Sequence, residues 1–132
     1  MEVSKWKRRR FIPTWGDNHL EEDPCVIIYA PPSVGWMARW REIAISAPEI
    51  SPEKASEPGF VEKVRGWSEG MQDFRSEMLD DLVLCVEGLT LNGKAIDRSE
   101  AIEFIMDNEG LRDEVFAAIL AEGVLTKGEG KS

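Results

Sequence analysis

The residues of this sequence that could carry out chemistry are concentrated in one acidic loop, Asp17–Asp23. The loop holds His19, the only histidine of the chain, with carboxylates on both sides. One hypothesis is a metal site formed by the imidazole and these carboxylates. Zinc sites usually draw on several His or Cys ligands, and an EF-hand needs a D-x-D-x-D-G spacing that is missing here. We therefore interpret the segment as a solvated acidic loop and expect no metal site.

The sequence also lacks the residues that nucleophilic catalysis and nucleotide binding usually need. A serine or cysteine nucleophile needs a nearby base, and only His19 could serve as one. Neither the G-x-x-x-x-G-K-[ST] phosphate loop nor the G-x-G-x-x-G dinucleotide motif occurs in the sequence. Asp80 and Asp81 are adjacent carboxylates, which we interpret as surface charges of a helix. We expect no catalytic residue and no cofactor, and hence a protein that is not an enzyme.

The aromatic residues give a stronger indication of function, because five of the 132 residues are tryptophan. Tryptophan supplies large buried area to small cores and is also enriched among residues that dominate binding interfaces. We interpret Trp36 and Trp67 as structural, and we expect Trp6 and Trp15 to be partly exposed. Methionines on a helical stripe could bind varied partners, or they could be ordinary core. The candidate partner-binding residues are Trp6, Arg8, Arg10, Trp15, Trp40, Met71, Phe74 and Met78.

The charge of the chain is negative overall and unevenly placed. Five basic side chains in the first ten residues, against Glu2, give that segment a net charge of +4, which leaves −13 on the rest of a chain with net charge −9. Phosphate backbones repel an acidic protein, so nucleic acid is disfavoured as the main partner. The basic segment could contact an acidic partner, or it could be a strand edge kept soluble by charge.

Cysteine usage and hydropathy indicate a cytosolic protein. Cys25 and Cys85 lie in separate apolar runs, which favours buried free thiols in a reducing compartment and leaves a disulfide between them open. Pro13 follows directly on Phe11-Ile12, so the apolar run of a secretory signal is missing. No segment approaches the ~20 apolar residues of a membrane span. We expect a soluble protein without a membrane partner.

The elements that must position these residues begin with a predicted β-hairpin. Residues 5–12 form a candidate first strand, and Cys25–Ala30, β-branched and bounded by prolines, is the strongest strand pattern in the chain. A two-stranded hairpin alone is marginal, so it must lie on helices or gain a third strand.

Helical periodicity dominates after residue 33. Trp67–Gly88 carries apolar residues at steps of three and four, which predicts one long amphipathic helix ending at Gly88. Other helices are predicted to begin at caps on Ser33 and Asp97, and the last is predicted to end at Gly123.

Between these helices, Ser46–Gly59 reads as a proline-bearing connector with at most a short helical turn after Ser51-Pro52. Asn92-Gly93 predicts a tight turn with a tiny hairpin or an ordered loop around it. The expected fold class is α+β, predominantly α-helical, with an N-terminal β-hairpin packed on a bundle of about four helices. We expect a single domain over 1–123, with a β-rich arm (1–32) and a helical part (33–123), followed by a polar tail (124–132).

The order of these features resembles the small tail assembly chaperones of long-tailed bacteriophages and prophages. Two short motifs carry most of the resemblance: F-I-P-x-W at residues 11–15 and V-E-G-L-T-x-N-G-K-x-I at residues 86–96. The acidic loop, the β-rich run, the D-R-x-E-A-I-E helix at residues 97–103 and the polar tail complete the order. Neither motif is catalytic.

The resemblance implies a non-enzymatic assembly factor in the cytoplasm of a bacterial host cell. Such proteins coat the long helical tape measure protein, help recruit tail tube subunits and are absent from the finished virion. They are commonly made also as a longer form by ribosomal frameshifting, and such a fusion would start after Gly123. The expected partners are therefore the tape measure protein, the tail tube protein and the frameshifted longer form, and a homo-oligomer stays open.

Two alternatives share the size and composition of the chain. One is a small structural tail or connector protein that remains in the virion. The other is a small regulator that binds nucleic acid through its basic N-terminal residues.

Overall fold

A small antiparallel sheet forms one side of the fold. The structure, a computed structural model, describes residues 8–129 and, beyond residue 123, the backbone alone. Strand β1 (Arg9–Phe11) pairs with β2 (Val26–Tyr29), which confirms the predicted hairpin. β2 pairs on its other side with β3 (Val83–Glu87), so the sheet order is β1-β2-β3. The hairpin thus gains the third strand that its marginal size requires.

Strand β3 overturns part of the predicted long helix. The helix α3 (Phe60–Leu82) ends one residue before the strand, so the prediction of helix up to Gly88 was wrong for residues 83–87. The run Val83–Val86 is rich in β-branched residues, and pairing with β2 buries Val83 completely. Gly88 has the expected left-handed φ of 76°, but it ends a strand rather than a helix.

Helices make up most of the remaining fold, as predicted. Helix α1 (Val34–Ile45) begins at the predicted cap Ser33, whose side chain accepts a hydrogen bond from the Trp36 amide. The connector contains one short helix, α2 (Pro52–Ala55). α3 runs unbroken past Gly66 and Gly70. The fold class is therefore α+β and predominantly helical.

A tight hairpin links the sheet to the last two helices. β4 (Thr90–Leu91) and β5 (Lys94–Ala95) pair around Asn92-Gly93, where both turn residues have positive φ. This is the geometry that the Asn-Gly dipeptide predicts. Asp97 then caps α4 (Arg98–Asp107) by accepting a hydrogen bond from the Glu100 amide.

The last helix is longer than the sequence suggested. α5 (Glu109–Glu129) continues through Gly123, so the predicted helix end at Gly123 was wrong. A Cβ at this position would lie 2.5 Å from the Met37 sulfur and 2.8 Å from Pro32 Cγ. The glycine therefore allows α5 to pack closely against the start of α1. Of the predicted polar tail, residues 124–129 have helical backbone and residues 130–132 lie outside the described range.

The core lies between the inner face of the sheet and the long helices. β2 contributes Ile27 and Tyr29, α3 contributes Phe74 and Met78, and α5 contributes Ile119 among others. Within residues 8–129, no helix is long and apolar enough to cross a membrane.

Candidate functional site

The segment between β1 and β2, residues 12–25, forms a well-anchored loop that we call the Trp15 loop. Its middle is a 3-10 segment (Trp15–Leu20) in which Gly16 and Asp17 both adopt left-handed φ values near 60°. Asn18 holds the two ends of the loop together. Its amide nitrogen donates to the carbonyls of Pro13 (2.8 Å) and Cys25 (3.0 Å), and its oxygen accepts from the Cys25 amide at 2.8 Å.

Helix α5 anchors the same loop from the other side. The Glu114 carboxylate accepts hydrogen bonds from the backbone amides of Thr14 and Trp15 and from the Thr14 hydroxyl. The Trp15 ring lies edge-on to Phe104, with centroids 5.8 Å apart. A Cβ at Gly110 would meet the indole at 3.1 Å, so this glycine gives the ring its place against α5. The loop is therefore fixed through both backbone and side-chain contacts.

A cleft of about 240 Å³ opens beside the Trp15 ring. We call it the Trp15 cleft. Its walls come from the Trp15 loop, the start of the small hairpin and helices α4 and α5. The lining residues with apolar or aromatic side chains are Pro13, Trp15, Leu89, Phe104 and Leu111. Trp15 itself is 40% exposed, which confirms the expectation of partial exposure.

The charged side chains of the Trp15 loop are carboxylates. Glu21 lines the cleft, and Asp17, Glu22 and Asp23 are exposed in the same loop. Burial raises the pKa of the Cys25 thiol, and the charge of Glu21 raises this pKa further. The Cys25 thiol at the cleft is therefore not a low-pKa nucleophile. In the described part of the chain, no three His, Cys, Asp or Glu side chains are grouped to hold a metal ion.

The two thiols differ from the prediction that both are buried. Cys25 is half-buried and Cys85 is exposed, and both are free. Cys85 pairs across the sheet with Ile28, which in turn pairs with Arg10, and cross-strand partners share a face. That face is the outer one, so the prediction for Cys85 was wrong because an apolar run on an edge strand need not be buried on both faces.

A second candidate surface surrounds the proline-bearing connector. We call residues 45–67, from the end of α1 to the second turn of α3, the connector elbow. Ile45 is 81% exposed, Ile50 is 79% exposed and Val61 is 59% exposed. A groove of about 230 Å³ lies within the elbow, lined by Pro48, Glu49, Lys54, Glu57, Pro58, Phe60 and Lys63.

The elbow is held to the rest of the fold mainly through Trp67. The indole nitrogen of Trp67 donates to the Ile43 carbonyl at 2.9 Å and so joins α3 to the end of α1. The other hydrogen bonds of the elbow are local, such as the caps that Ser51 and Ser56 form around α2. Trp67 is half-buried against the core, in keeping with its interpretation as structural.

The predicted basic contact residues lie at the edge of the sheet. Arg8 and Arg10 are exposed at the start of β1, and the Arg10 guanidinium lies 3.8 Å from the Glu87 carboxylate. Trp6, the first of the candidate partner-binding residues, lies outside the described residues. Arg10 therefore lies in β1 and Arg8 directly before it, at the opposite end of the strand from Trp15.

The remaining candidates lie in the interior. Met71, Phe74 and Met78 are at most 6% exposed, and Trp40 is half-buried. Trp40 stacks on Phe74 and meets Phe116 edge-on, which makes it part of an aromatic cluster between α1, α3 and α5. A partner role for these four residues stays a prediction, and it would require this cluster to open.

Most residues that shape both surfaces are not identified by a local sequence pattern. Glu114 and Asn18 fix the Trp15 loop, but their partners lie in other elements, so no local pattern identifies them. Ile50 stands alone between Glu49 and Ser51, and an isolated apolar residue in a polar connector is the signal that could have identified the elbow.

Comparison of the chain with protein-family models, with curated proteins and with solved structures gave no match.

Proposed function

We propose that this protein is a non-catalytic phage tail assembly chaperone that binds the tape measure protein through the connector elbow. The observation that carries the proposal is the exposure of Ile45, Ile50 and Val61 within the same segment that bears the groove. Exposed apolar side chains that are rimmed by polar residues are typical of protein-binding surfaces. The sequence motifs at residues 11–15 and 86–96 indicate which kind of binding protein this is.

The chemistry of the elbow suits an amphipathic helix as its ligand. Such a helix presents apolar residues at steps of three and four and buries them in a groove or against a second helix. Lys54 and Lys63 stand beside Glu49 and Glu57 at the groove, so its rim can accept either sign of charge on the polar side of the ligand. A tape measure protein, which is long and helical, offers many such segments.

On this proposal the protein acts in the cytoplasm of the host cell. It covers apolar helices of the tape measure protein until tail tube subunits assemble around them, and then it leaves. It is therefore absent from the finished virion.

Binding to recombinant segments that tile a tape measure protein encoded in the same genome tests the proposal. We expect at least one segment to be retained by the wild-type chain, and the double substitution Ile45→Asp and Val61→Asp to weaken this binding by about tenfold or more, since charge is placed in an apolar contact. Failure of every segment to bind would overturn the proposal.

A matched control is available on α1, the helix that ends at Ile45. Val34 is 86% exposed at the start of α1, away from the elbow, so Val34→Asp should leave binding unchanged. Mass spectrometry of purified particles separates the proposal from its nearest alternative. A chaperone is missing from the particles, whereas a structural tail or connector protein is found in them.

A further inference from the structure

We propose that the Trp15 cleft of one molecule binds the basic, tryptophan-bearing segment Lys5–Arg8 of a second copy of the same chain, with Trp6 as the anchor. The cleft lies apart from the connector elbow, so this inference does not rest on the proposed function. It concerns how copies of the protein associate with one another.

The first argument is the chemistry of the cleft walls. An aromatic ring edge from Phe104, the half-exposed Trp15 indole and the apolar side chains of Leu89 and Leu111 surround about 240 Å³ of open space. A space of this size takes one large side chain rather than a folded element. Indole rings prefer edge-to-face and offset contacts with other aromatic rings, which these walls provide. Tryptophan is also the residue most enriched as an interface anchor.

The second argument is charge. Glu21 lines the cleft, and three more carboxylates are exposed in the Trp15 loop. A ligand for this cleft should therefore carry cations on either side of its aromatic anchor. In this sequence Trp6 is flanked by Lys5 and Lys7 and followed by three arginines, while the remainder of the chain is acidic. The aromatic anchor and the cationic flanks that the cleft selects occur together at Lys5–Arg8.

The third argument is reach, which requires the anchor to come from another molecule. β1 runs from Arg9 toward Pro13, and the cleft lies at its Pro13 end. An extended chain rises about 3.3 Å per residue, so Arg8 stands roughly 17 Å of extended chain from Pro13. Trp6 precedes Arg8 by only two residues, so its backbone reaches about 7 Å from Arg8 and its side chain adds roughly as much again, about 14 Å in all. This length falls short of the cleft of the same molecule.

The resulting interface is head-to-tail. The donated segment leaves from one end of β1, and the accepting cleft lies at the other end. Each molecule therefore donates once and accepts once through different surfaces. Such contacts close into a two-fold dimer by reciprocal exchange or into larger rings, or they extend into open chains of molecules.

Sedimentation velocity on the full-length chain over a range of concentrations tests the inference. The wild-type chain should self-associate into dimers or larger species as concentration rises. Trp6→Ala removes the anchor, and Thr90→Trp fills the cleft from an exposed position of β4, where an aromatic residue is favoured. Each variant alone should self-associate at least about tenfold more weakly than the wild type. Circular dichroism and thermal unfolding establish that both variants fold.

Mixing the two variants gives the decisive result. The Trp6→Ala chain keeps an intact cleft and the Thr90→Trp chain keeps an intact anchor, so the mixture should form a 1:1 heterodimer and nothing larger. Glu21→Lys, a substitution at an exposed position, is a second cleft variant that should weaken association without filling the space.

Three results would overturn the inference: a wild-type chain that stays monomeric at every concentration, a Trp6→Ala chain that associates as the wild type does, or variants that fail to complement each other. None of these results bears on tape measure binding at the elbow. Failure of the elbow variants to lose tape measure binding would likewise leave this inference intact.

Discussion

The Trp15 loop and the connector elbow both expose apolar side chains, but the fold supports them very differently. Asn18 and Glu114 fix the Trp15 loop through six hydrogen bonds to its backbone and side chains. The elbow has one hydrogen bond to α1 that is distant in sequence, from Trp67, and its other hydrogen bonds join residues three or four apart. The elbow is also the longer segment, with 23 residues against 14, and it holds seven charged side chains against four. What most separates the two segments is their contacts with other elements.

This difference separates two ways of binding. A preorganised cleft loses little conformational entropy when a ligand enters, and it selects strongly by shape. A loosely attached segment with exposed apolar side chains loses more conformational entropy on binding, but it can adapt to several related helices. The Trp15 cleft is therefore suited to select one anchor side chain. The connector elbow is suited to bind several similar helices of one long ligand.

The largest effect is expected where the sheet meets the Trp15 loop. Gly88→Ala should lower the free energy of unfolding by about 3 kcal/mol or more, because a Cβ there would lie 2.6 Å from the Pro24 carbonyl at a φ of 76°. Gly93→Ala is the matched control: its φ is 80°, but no atom lies within 4 Å of the added Cβ. It should lose only about 1 kcal/mol. Equal losses in denaturant unfolding would show that the close approach is unimportant.

A smaller loss is expected for the amide that joins the ends of the Trp15 loop. Asn18→Ala removes three hydrogen bonds and leaves the Cys25 amide without its partner, so the free energy of unfolding should fall by about 2 kcal/mol. His19→Ala, at the exposed neighbouring position, should change it by less than about 0.5 kcal/mol. If Asn18→Ala behaved like His19→Ala, the loop would not be fixed in the way described.

The elbow should respond locally rather than globally. Trp67→Phe keeps an aromatic ring but removes the donor to the Ile43 carbonyl, which should lower the local opening free energy by about 1 kcal/mol. Amide hydrogen exchange over residues 60–67 should then be about fivefold faster, with little change in the sheet. Trp36→Phe is the comparison, since its lost partner is Asp81 and not the elbow. Uniform acceleration across the chain would contradict a locally attached elbow.

In the core between the two regions, the titration of Tyr29 at high pH reports on its burial. Burial raises the pKa of Tyr29 to about 12, and Glu122 contributes to the rise while Arg9 opposes it. Because the folded state keeps its proton longer than the unfolded state, this group's contribution to stability is constant below about pH 10 and is lost between about pH 10 and 12. Tyr29 is the only tyrosine, so tyrosinate absorbance follows it directly. A midpoint near 10 in the folded protein would contradict its burial.

Local patterns in the sequence predicted those elements whose determinants are local. Asn92-Gly93 specifies its own turn, and Ser33 and Asp97 specify their own caps, because the groups that they satisfy lie within three residues. The hairpin of β1 and β2 followed from the β-branched run at Val26–Tyr29. These predictions were confirmed.

Predictions failed where a distant element decides the outcome. Residues 83–87 fit a helical stripe, and only the free edge of β2 turns them into a strand. Gly123 resembles a helix end, and only the approach of Met37 explains it as a packing position. The same holds for the candidate sites: Trp15 was identified from its type, but the partners that fix it, Glu114 and Phe104, are distant in sequence.

The position of β3 in the sheet also sets the order in which the chain can fold. Residues 30–82 lie between β2 and its partner β3, so the third strand is translated only after two helices and the connector. Closing so long a loop is slow relative to local helix formation. Its entropic cost is offset only when β3 pairs with β2. During synthesis the edge of β2 that later pairs with β3 therefore stays unpaired. At this edge the nascent chain is most open to mispairing with other strands.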